Sequence, residues 1–330
     1  MSAVTIRDLA LDFVGATTVR ALDGVDLEIG VGSSLALVGE SGSGKSTLAS
    51  VLGRMQPRSA SVVRGEIRVA GIDVLALGTS ALRRYRRDQL AYIAQDPIGS
   101  LDPTMRIGRQ LQLVLRSTGQ DASTSRQRAL LEAMQIENPD RVLPLYPHQI
   151  SGGMAQRVAI ALAMCRKPRL LIADEPTAAL DSQVREEVVR LMFEQARSLG
   201  TTILWLSHDL PAVARWCDEV AVMYAGRVVE RGRAADVLGA PVHPYSRALA
   251  ATDPSRVRRG DRLASIPGSP PVLHGESAGC AFSARCPVSV AACATTRPQP
   301  TSARSSLCIR TDELLRRDSE QRDQDQEVTA

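Results

Sequence analysis

Short apolar runs separated by turns dominate the first 90 residues of the chain. The runs are rich in β-branched and aliphatic residues, which predicts strands at Val4 to Leu9, Val25 to Ile29, Leu35 to Val38 and Gly65 to Val69. The arginine-rich segment Arg83 to Arg87 lies in a predicted helix, either as a solvated face or as a contact for acidic partners or lipid headgroups. This part of the chain predicts a mixed sheet.

The pattern changes to a helical spacing of leucines between Thr104 and about Arg166, which predicts an inserted helical subdomain over about residues 97–166. Buried-strand runs then return at Leu170 to Ala173, Thr202 to Leu206 and Val220 to Met223. A predicted helix, Ser182 to Leu199, separates the first two of these runs. Strands that alternate with helices predict an α/β fold with a parallel sheet.

A change of composition near residue 236 predicts a domain boundary. Prolines cluster beyond it and periodicity fades, so residues 237–310 are expected to form a small irregular C-terminal extension of a domain at 1–236. The last twenty residues, 311–330, contain ten charged side chains and no aromatic one. That composition is typical of a frayed helix or a disordered tail.

Composition excludes several classes of protein. The 330 residues with 44% hydrophobic content suffice for a substantial core, but no run approaches the roughly 20 apolar residues of a bilayer helix. The N-terminus shows no secretory signal, which predicts a cytoplasmic protein. A net charge of +4 and an aromatic content of 3% argue against nucleic acid as a partner.

The segment Gly39 to Thr47 carries the strongest chemical signal. It matches G-x-x-x-x-G-K-S/T between a predicted strand and a predicted helix, Ser46 to Leu52, so backbone N–H groups can face phosphates. Lys45 is one of only two lysines among 40 basic residues, and its compact ammonium suits the β- and γ-phosphates of ATP. The predicted ATP-binding residues here are Gly39, Ser41, Gly42, Ser43, Gly44, Lys45, Ser46 and Thr47.

Two acidic residues, Asp174 and Glu175, follow the apolar strand Leu170 to Ala173. One carboxylate can hold Mg²⁺ together with Ser46, and the other can polarise the attacking water. The chain is therefore predicted to hydrolyse ATP.

In their order along the chain, these residues resemble the nucleotide-binding subunit of ABC transporters over about residues 4–235. The resemblance implies a P-loop NTPase (RecA-like) core. The corresponding segments are Phe13 against adenine, Gly39 to Thr47 (Walker A), Gln95 (Q-loop), Ser151-Gly152-Gly153 (signature), Asp174 and Glu175 (Walker B and catalytic glutamate), Ala179-Leu180-Asp181 (D-loop) and His208 (switch histidine). The family's usual glutamine after the signature glycines is Met154 here.

The resemblance also implies partners and roles. Glu175, His208 and Gln95 would be catalytic, and Ser46, Gln95 and Asp174 would hold Mg²⁺. Two ATP molecules would lie in a head-to-tail dimer, each between one subunit's Walker A and the other's signature. The second ATPase would be a copy or a paralogue, bound with integral-membrane permease subunits at the cytoplasmic face of the cell membrane. An extracytoplasmic solute-binding protein would be an indirect partner.

Further segments are similar to those of dipeptide and oligopeptide importers, and peptide import is the favoured function. They are Asp96 to Gly108, Tyr146 to Gln149, His243 to Leu249, Ile266 to Pro271 and Gly279 to Pro287, of which the last three resemble the C-terminal extension of peptide and nickel importers. Import of nickel or another small solute is the alternative. A non-transport ABC ATPase is disfavoured. ABC proteins of translation normally carry two cassettes and repair ATPases carry a long coiled-coil insertion, whereas this chain has one cassette and no room for such an insertion.

Six cysteines in a cytoplasmic chain are expected to be reduced thiols or metal ligands. Cys280, Cys286, Cys293 and Cys308 cluster in the proline-rich extension, a composition typical of a metal site. Some peptide-importer relatives carry a 4Fe–4S cluster at this place. An iron–sulfur cluster, zinc and reduced structural cysteines all stay open, whereas Cys165 and Cys217 are predicted to lie in the core.

Overall fold

The computed structural model describes residues 2–96, 98–177, 180–256, 264–301, 305–317 and 319. Its strands are β1 (Ser2–Phe13), β2 (Val19–Gly30), β3 (Ser34–Val38), β4 (Ala60–Val69), β5 (Ile72–Asp73), β6 (Leu90–Ile93), β7 (Leu170–Asp174), β8 (Thr202–Leu206), β9 (Glu219–Tyr224) and β10 (Arg227–Arg233).

The helices of the described residues are α1 (Lys45–Leu52), α2 (Thr79–Asp88), α3 (Ile107–Ser117), α4 (Thr124–Ala133), α5 (Pro139–Val142), α6 (Gly152–Met164), α7 (Ser182–Leu199), α8 (Leu210–Trp216), α9 (Ala234–Gly239), α10 (Pro244–Ala251) and α11 (Ala292–Thr295). Short 3₁₀ turns lie at Pro147–Gln149, Pro254–Arg256 and Ser283–Arg285.

The strands form two sheets. An antiparallel sheet has the order β2-β1-β4-β5, and a second sheet has the order β10-β9-β3-β8-β7-β6. In the second sheet β6, β7, β8, β3 and β9 run parallel, and β10 is antiparallel to β9 at the edge. The prediction of a mixed sheet is confirmed, although the strands of the first 90 residues divide between the two sheets, because β3 leaves β1 and β2 to join the parallel strands.

The parallel strands are buried on both faces, and alternate side chains enter two different cores. On β3, Leu35 and Leu37 face the antiparallel sheet and α1, whereas Ala36 and Val38 face the helices of the other layer. On β8, Leu204 faces the antiparallel sheet and Trp205 faces the helical layer. The central sheet is thus held between an antiparallel sheet and a helical layer, which fixes the ends of its strands.

Helices α3 to α6 lie between β6 and β7, where the leucine spacing predicted helices. Helix α6 begins at Gly152, because Ser151 caps it: the Ser151 hydroxyl accepts the N–H of Met154 at 3.3 Å. The strand β6 and the edge strand β10 were not predicted, since β6 is only four residues long and β10 carries several arginines.

The C-terminal extension is irregular, as predicted, yet it is packed firmly onto the rest of the chain. Phe282 is 1% exposed and contacts the rings of Tyr224 and Tyr245, each at a centroid distance of 5.3 Å. Arg297 forms an ion pair of 3.0 Å with the fully buried Asp23 of β2. Residues 311–317 are helical, and most of the remaining tail lies outside the described residues. Within the described residues no helix is long and apolar enough to cross a membrane.

Candidate functional site

The parallel strands β3, β6, β7 and β8 end at one edge of the central sheet, and the predicted chemistry follows these ends. The phosphate loop follows β3, Gln95 follows β6, Asp174 ends β7 and His208 follows β8. A cleft of about 690 Å³ at this edge is lined by Phe13, Gly39, Ser41, Gly42, Gly44, Lys45, Ser46, Thr47, Gln95, Asp174, Glu175 and His208. The structure therefore brings together residues that are widely separated along the chain.

The phosphate loop depends on glycine at two positions of close approach. Gly39 has φ 151°, and a Cβ there would lie 2.1 Å from the carbonyl oxygen of Met223. Gly44 has φ 103° and caps α1, with the carbonyl oxygen of Ala21 only 2.8 Å from an added Cβ. Gly44, the N-cap residue, has no side chain to accept the first N–H groups of α1, which leaves them available to an anion.

Lys45 is 9% exposed and its Nζ donates to the carbonyl oxygens of Gly39 and Glu40 at 2.7 and 2.9 Å. Burial lowers the pKa of Lys45, and the nearby carboxylates of Glu175, Asp174 and Glu40 oppose that shift. The ammonium is thus held within the loop by backbone oxygens, in the place where a phosphate group would compete for it.

Asp174 lies between a hydroxyl from the phosphate loop and a phenol from β6. The Ser46 hydroxyl is 3.4 Å from Asp174 Oδ1, and the Tyr92 hydroxyl donates to Asp174 Oδ2 at 2.8 Å. Burial, followed by the charge of Asp174, raises the pKa of Tyr92, so the phenol stays a donor. Oxygen donors of this kind suit Mg²⁺. Tyr92 was missed at the sequence level, although it lies three residues before Gln95 at the end of a buried strand.

Glu175 and His208 lie beside each other in the wall of the cleft. Glu175 Oε1 is 3.4 Å from His208 Nδ1, and the imidazole is 68% exposed. The backbone of Glu175 has φ 45°, in the left-handed region that a glutamate rarely adopts, while its N–H donates to the Leu206 carbonyl at 3.0 Å. Strained backbone of this kind is found at functional positions, because the surrounding fold compensates for the strain.

The signature residues do not line this cleft. Ser151 and Gly153 border a separate open cleft of about 990 Å³, together with Met154 and Val184. Asp181 caps α7, where its Oδ1 accepts the N–H of Val184 at 3.0 Å, while Ala179 of the D-loop lies outside the described residues. Within one subunit the signature and the phosphate loop are therefore apart.

Two groups of residues at the nucleotide cleft were not predicted. Pro271, Val272 and Leu273 of the C-terminal extension line the cleft beside Phe13. Arg285, also from the extension, forms a two-pronged ion pair with Glu40 of the phosphate loop, at 2.8 and 3.0 Å. No local pattern in the sequence marks these contacts, which join segments more than two hundred residues apart.

The four cysteines of the extension, Cys280, Cys286, Cys293 and Cys308, line one small cavity of about 20 Å³. Burial raises the pKa of Cys280 to about 11, and burial also raises the pKa of Cys286 and of Cys308. In the described part of the chain no three or more His, Cys, Asp or Glu side chains are arranged to hold a metal ion. Cys165 and Cys217 are buried, as predicted.

A phosphate loop and strand-end carboxylates on a parallel sheet define a P-loop nucleoside triphosphatase. The family model of ABC transporters matches residues 22–178, and that of the oligopeptide/dipeptide transporter C-terminal region matches residues 229–293. The chain belongs to the ABC transporter ATP-binding proteins, and it is an ABC-type ATPase that hydrolyses ATP.

Three curated relatives are similar over most of their length. A probable peptide ABC transporter ATP-binding protein of Sinorhizobium fredii is 40% identical, covering 94% of this chain and 95% of the relative. A probable D,D-dipeptide transport ATP-binding protein of Escherichia coli is 45% identical, covering 87% and 89%. The oligopeptide transport ATP-binding protein OppD of Escherichia coli is 38% identical, covering 94% of each.

Solved structures agree with this assignment. The dimeric structure of MJ0796, a bacterial ABC transporter cassette, matches with a TM-score of 0.62 and 28% identity. The match covers 70% of this chain and 98% of that cassette. It confirms the predicted P-loop NTPase fold.

Proposed function

We propose that this chain powers the import of dipeptides or oligopeptides through permease subunits, from the cytoplasmic face of the membrane. The observation that carries the proposal is one cleft lined by the phosphate loop, Gln95, Asp174, Glu175 and His208, in a chain that also has the peptide-transporter C-terminal region. The names of the relatives agree with a peptide as the solute. A solute-binding protein on the other side of the membrane would deliver it.

Each side chain in the cleft has a role that follows from its position. The N-terminus of α1 and Lys45 receive the phosphates, and Phe13 stacks on the adenine. Mg²⁺ would be held by Ser46, Asp174 and Gln95, and when bound it neutralises phosphate charge. Glu175 accepts a proton from the attacking water, because its carboxylate borders the cleft. His208 contacts the γ-phosphate from the exposed side.

The separation of the two halves of the site supports a head-to-tail dimer, either with a copy of this chain or with a paralogue. The signature residues Ser151, Gly152 and Gly153 lie away from their own subunit's Lys45 and at the start of α6, where backbone N–H groups and the helix dipole attract an anion. In a second subunit they would cover the γ-phosphate. ATP binding would close such a dimer, and hydrolysis would open it.

Transport assays test the solute. The chain is reconstituted with the permease subunits and the solute-binding protein in vesicles, and ATP hydrolysis is measured with a dipeptide, a hexapeptide or Ni²⁺ outside. We expect the peptides to stimulate hydrolysis and to be taken up with it. Stimulation by Ni²⁺ and by neither peptide would replace peptide import with nickel import, and turnover that no solute or permease alters would contradict a transport role.

The cysteine-lined cavity supports a second, finer proposal: Cys280, Cys286, Cys293 and Cys308 hold a 4Fe–4S cluster. All four thiols border the same cavity, and thiolates alone are the usual ligands of such clusters. A cubane keeps its four cysteine sulfurs farther apart than one ion does, so the lack of a single-ion arrangement in the described residues is compatible with it. The cluster would stabilise a segment that is poor in regular structure.

Purification under anaerobic, iron-replete conditions tests the cluster. We expect brown protein with about four irons per chain, since each cubane contains that number. Cys286→Ser is expected to remove the colour and the iron, whereas Cys165→Ser, at a buried cysteine outside the cavity, should retain both. Colourless, iron-free wild-type protein from such cells would leave these residues as reduced structural thiols.

A further inference from the structure

The C-terminal extension reaches the nucleotide cleft of its own subunit at two separate points. Pro271, Val272 and Leu273 form part of the cleft wall at the end that carries Phe13 and Val19. Arg285 contacts the phosphate loop through Glu40. These contacts come from residues outside the segment that matches the ABC transporter family model.

The first contact is anchored by the backbone. The N–H of Arg20 on β2 donates to the carbonyl of Leu273 at 2.8 Å, and the ring Nδ1 of His274 lies 3.0 Å from the carbonyl oxygen of Thr18. The strand that follows Phe13 therefore holds the extension beside the apolar end of the cleft. Chain segments fixed in this way present the same surface to every ligand that enters.

Val272 is the exposed member of this wall. It is 63% exposed, the highest value among the large apolar side chains of the described residues that lie open to solvent. Its neighbour Leu273 packs against the core and so fixes the position of Val272. When a flat, weakly polar group such as a purine base covers an exposed apolar side chain, apolar surface is removed from water and the complex is stabilised.

The second contact restrains the phosphate loop. Arg285 is 6% exposed, and it donates from both terminal nitrogens to the carboxylate of Glu40. Its Nε donates to the Pro267 carbonyl at 2.7 Å, so the guanidinium is itself held in place by the extension. The hydroxyl of Tyr245 accepts the backbone N–H of Glu40 at 2.8 Å. Both the side chain and the backbone N–H of Glu40 are thus held by residues of the extension.

The negative charge of Glu40 makes this contact important for the binding of nucleotide phosphates. Its carboxylate is 25% exposed and lies on the loop that must receive an anionic phosphate chain. Arg285 neutralises it and fixes its direction through a bidentate pair, which a lysine would not reproduce. Without Arg285 the loop would present a free carboxylate to the incoming phosphates.

We propose that the C-terminal extension is part of the ATP site in its own subunit, with Val272 covering the base and Arg285 acting as a positioning residue for the phosphate loop. The proposal rests on the ATP-site roles assigned above and adds base and phosphate contacts from a region beyond the cassette. Nucleotide affinity in this chain would then depend on how the extension is docked.

Binding of MgADP and of inorganic pyrophosphate to the full-length chain separates the two contacts. Val272→Asp is expected to weaken MgADP binding about tenfold, since it removes one buried apolar side chain from the complex, and to leave pyrophosphate within about twofold. Arg285→Gln is expected to weaken both ligands about tenfold, because both use the phosphate loop. Adding Glu40→Gln to Arg285→Gln should recover most of that loss.

Matched controls lie in the same extension. Val290→Asp places a carboxylate at a valine that is 43% exposed and does not line the cleft. Arg310→Gln removes another bidentate arginine, whose partner Glu313 lies three residues further along the chain. Both should bind MgADP as the wild type does. Arg285→Lys keeps the charge but cannot form the bidentate pair. Its MgADP affinity should lie between those of the wild type and Arg285→Gln.

The outcomes separate this inference from the proposed ATP site. Wild type that binds MgADP, with Lys45→Ala that does not, supports the ATP site independently of the extension. If Val272→Asp and Arg285→Gln then both bind MgADP with wild-type affinity, the inference about the extension is wrong and the ATP site still stands. An equal loss of MgADP affinity in Val290→Asp, or no recovery of affinity when Glu40→Gln is added, would mean that the contacts only stabilise the fold in general. A wild type without MgADP binding would refute both.

Discussion

At the scale of single residues, the roles proposed for Lys45 and Glu175 differ, since one binds phosphate and the other accepts the proton of the attacking water. Lys45 donates to the backbone oxygens of the phosphate loop, whereas Glu175 lies 3.4 Å from His208. The two side chains belong to different elements and share no hydrogen bond. Their loss should therefore have different effects.

We predict that Lys45→Ala weakens ATP binding, because the ammonium held in the loop is lost. Glu175→Gln should bind ATP with wild-type affinity and hydrolyse it about 100-fold more slowly or worse, since the amide cannot accept the proton of the attacking water. Equilibrium binding and single-turnover hydrolysis measure the two steps separately. Unchanged turnover in Glu175→Gln would show that another group is the base.

Tyr92 is the residue of the cleft that the sequence did not reveal. Its hydroxyl orients Asp174, so Tyr92→Phe should raise the Mg²⁺ concentration needed for half-maximal ATPase activity about tenfold. Activity at saturating Mg²⁺ should stay near that of the wild type. Tyr85→Phe is the matched control, because Tyr85 is a buried tyrosine whose hydroxyl donates to the Leu52 carbonyl. An unchanged Mg²⁺ dependence in Tyr92→Phe would mean that the phenol does not orient the metal ligand.

At the scale of elements, the start of α6 is the most informative feature. Ser151 caps the helix and is exposed, while the two glycines after it leave little side-chain bulk at the helix end. We predict that Ser151→Arg blocks hydrolysis at the partner's nucleotide and not at that of its own subunit. Mixed dimers with one substituted subunit measure this effect. Normal ATPase activity in a dimer with Ser151→Arg in both subunits would contradict the head-to-tail arrangement.

At the scale of the whole molecule, the extension is held to the cassette by buried charge as well as by aromatic packing. Asp23 is fully buried and pairs with Arg297 at 3.0 Å, with Arg20 as a more distant partner at 3.5 Å. Removal of Arg297 leaves much of that charge uncompensated in the interior. The docking of the extension should therefore be sensitive to this one contact.

We predict that Arg297→Ala lowers the free energy of unfolding by about 3 kcal/mol. Arg64→Ala removes the pairs with the exposed Asp8 and Glu276 and should change the free energy of unfolding by about 1 kcal/mol or less. Denaturant titration followed by fluorescence provides both values. Equal effects of the two substitutions would argue against a special role for the buried carboxylate.

Local patterns along the chain predicted the order of the motifs, the parallel strands and the helices between them. These are local properties: the glycine spacing of residues 39–47 and the apolar runs of β3, β7 and β8 depend on neighbours within a few positions. The position of β3 in the second sheet, the Tyr92 contact and the convergence of the four cysteines depend instead on packing between distant segments. The Arg285–Glu40 pair spans 245 residues of sequence. No periodicity extends over such a distance, so only the packing of the extension against the cassette could bring these side chains together.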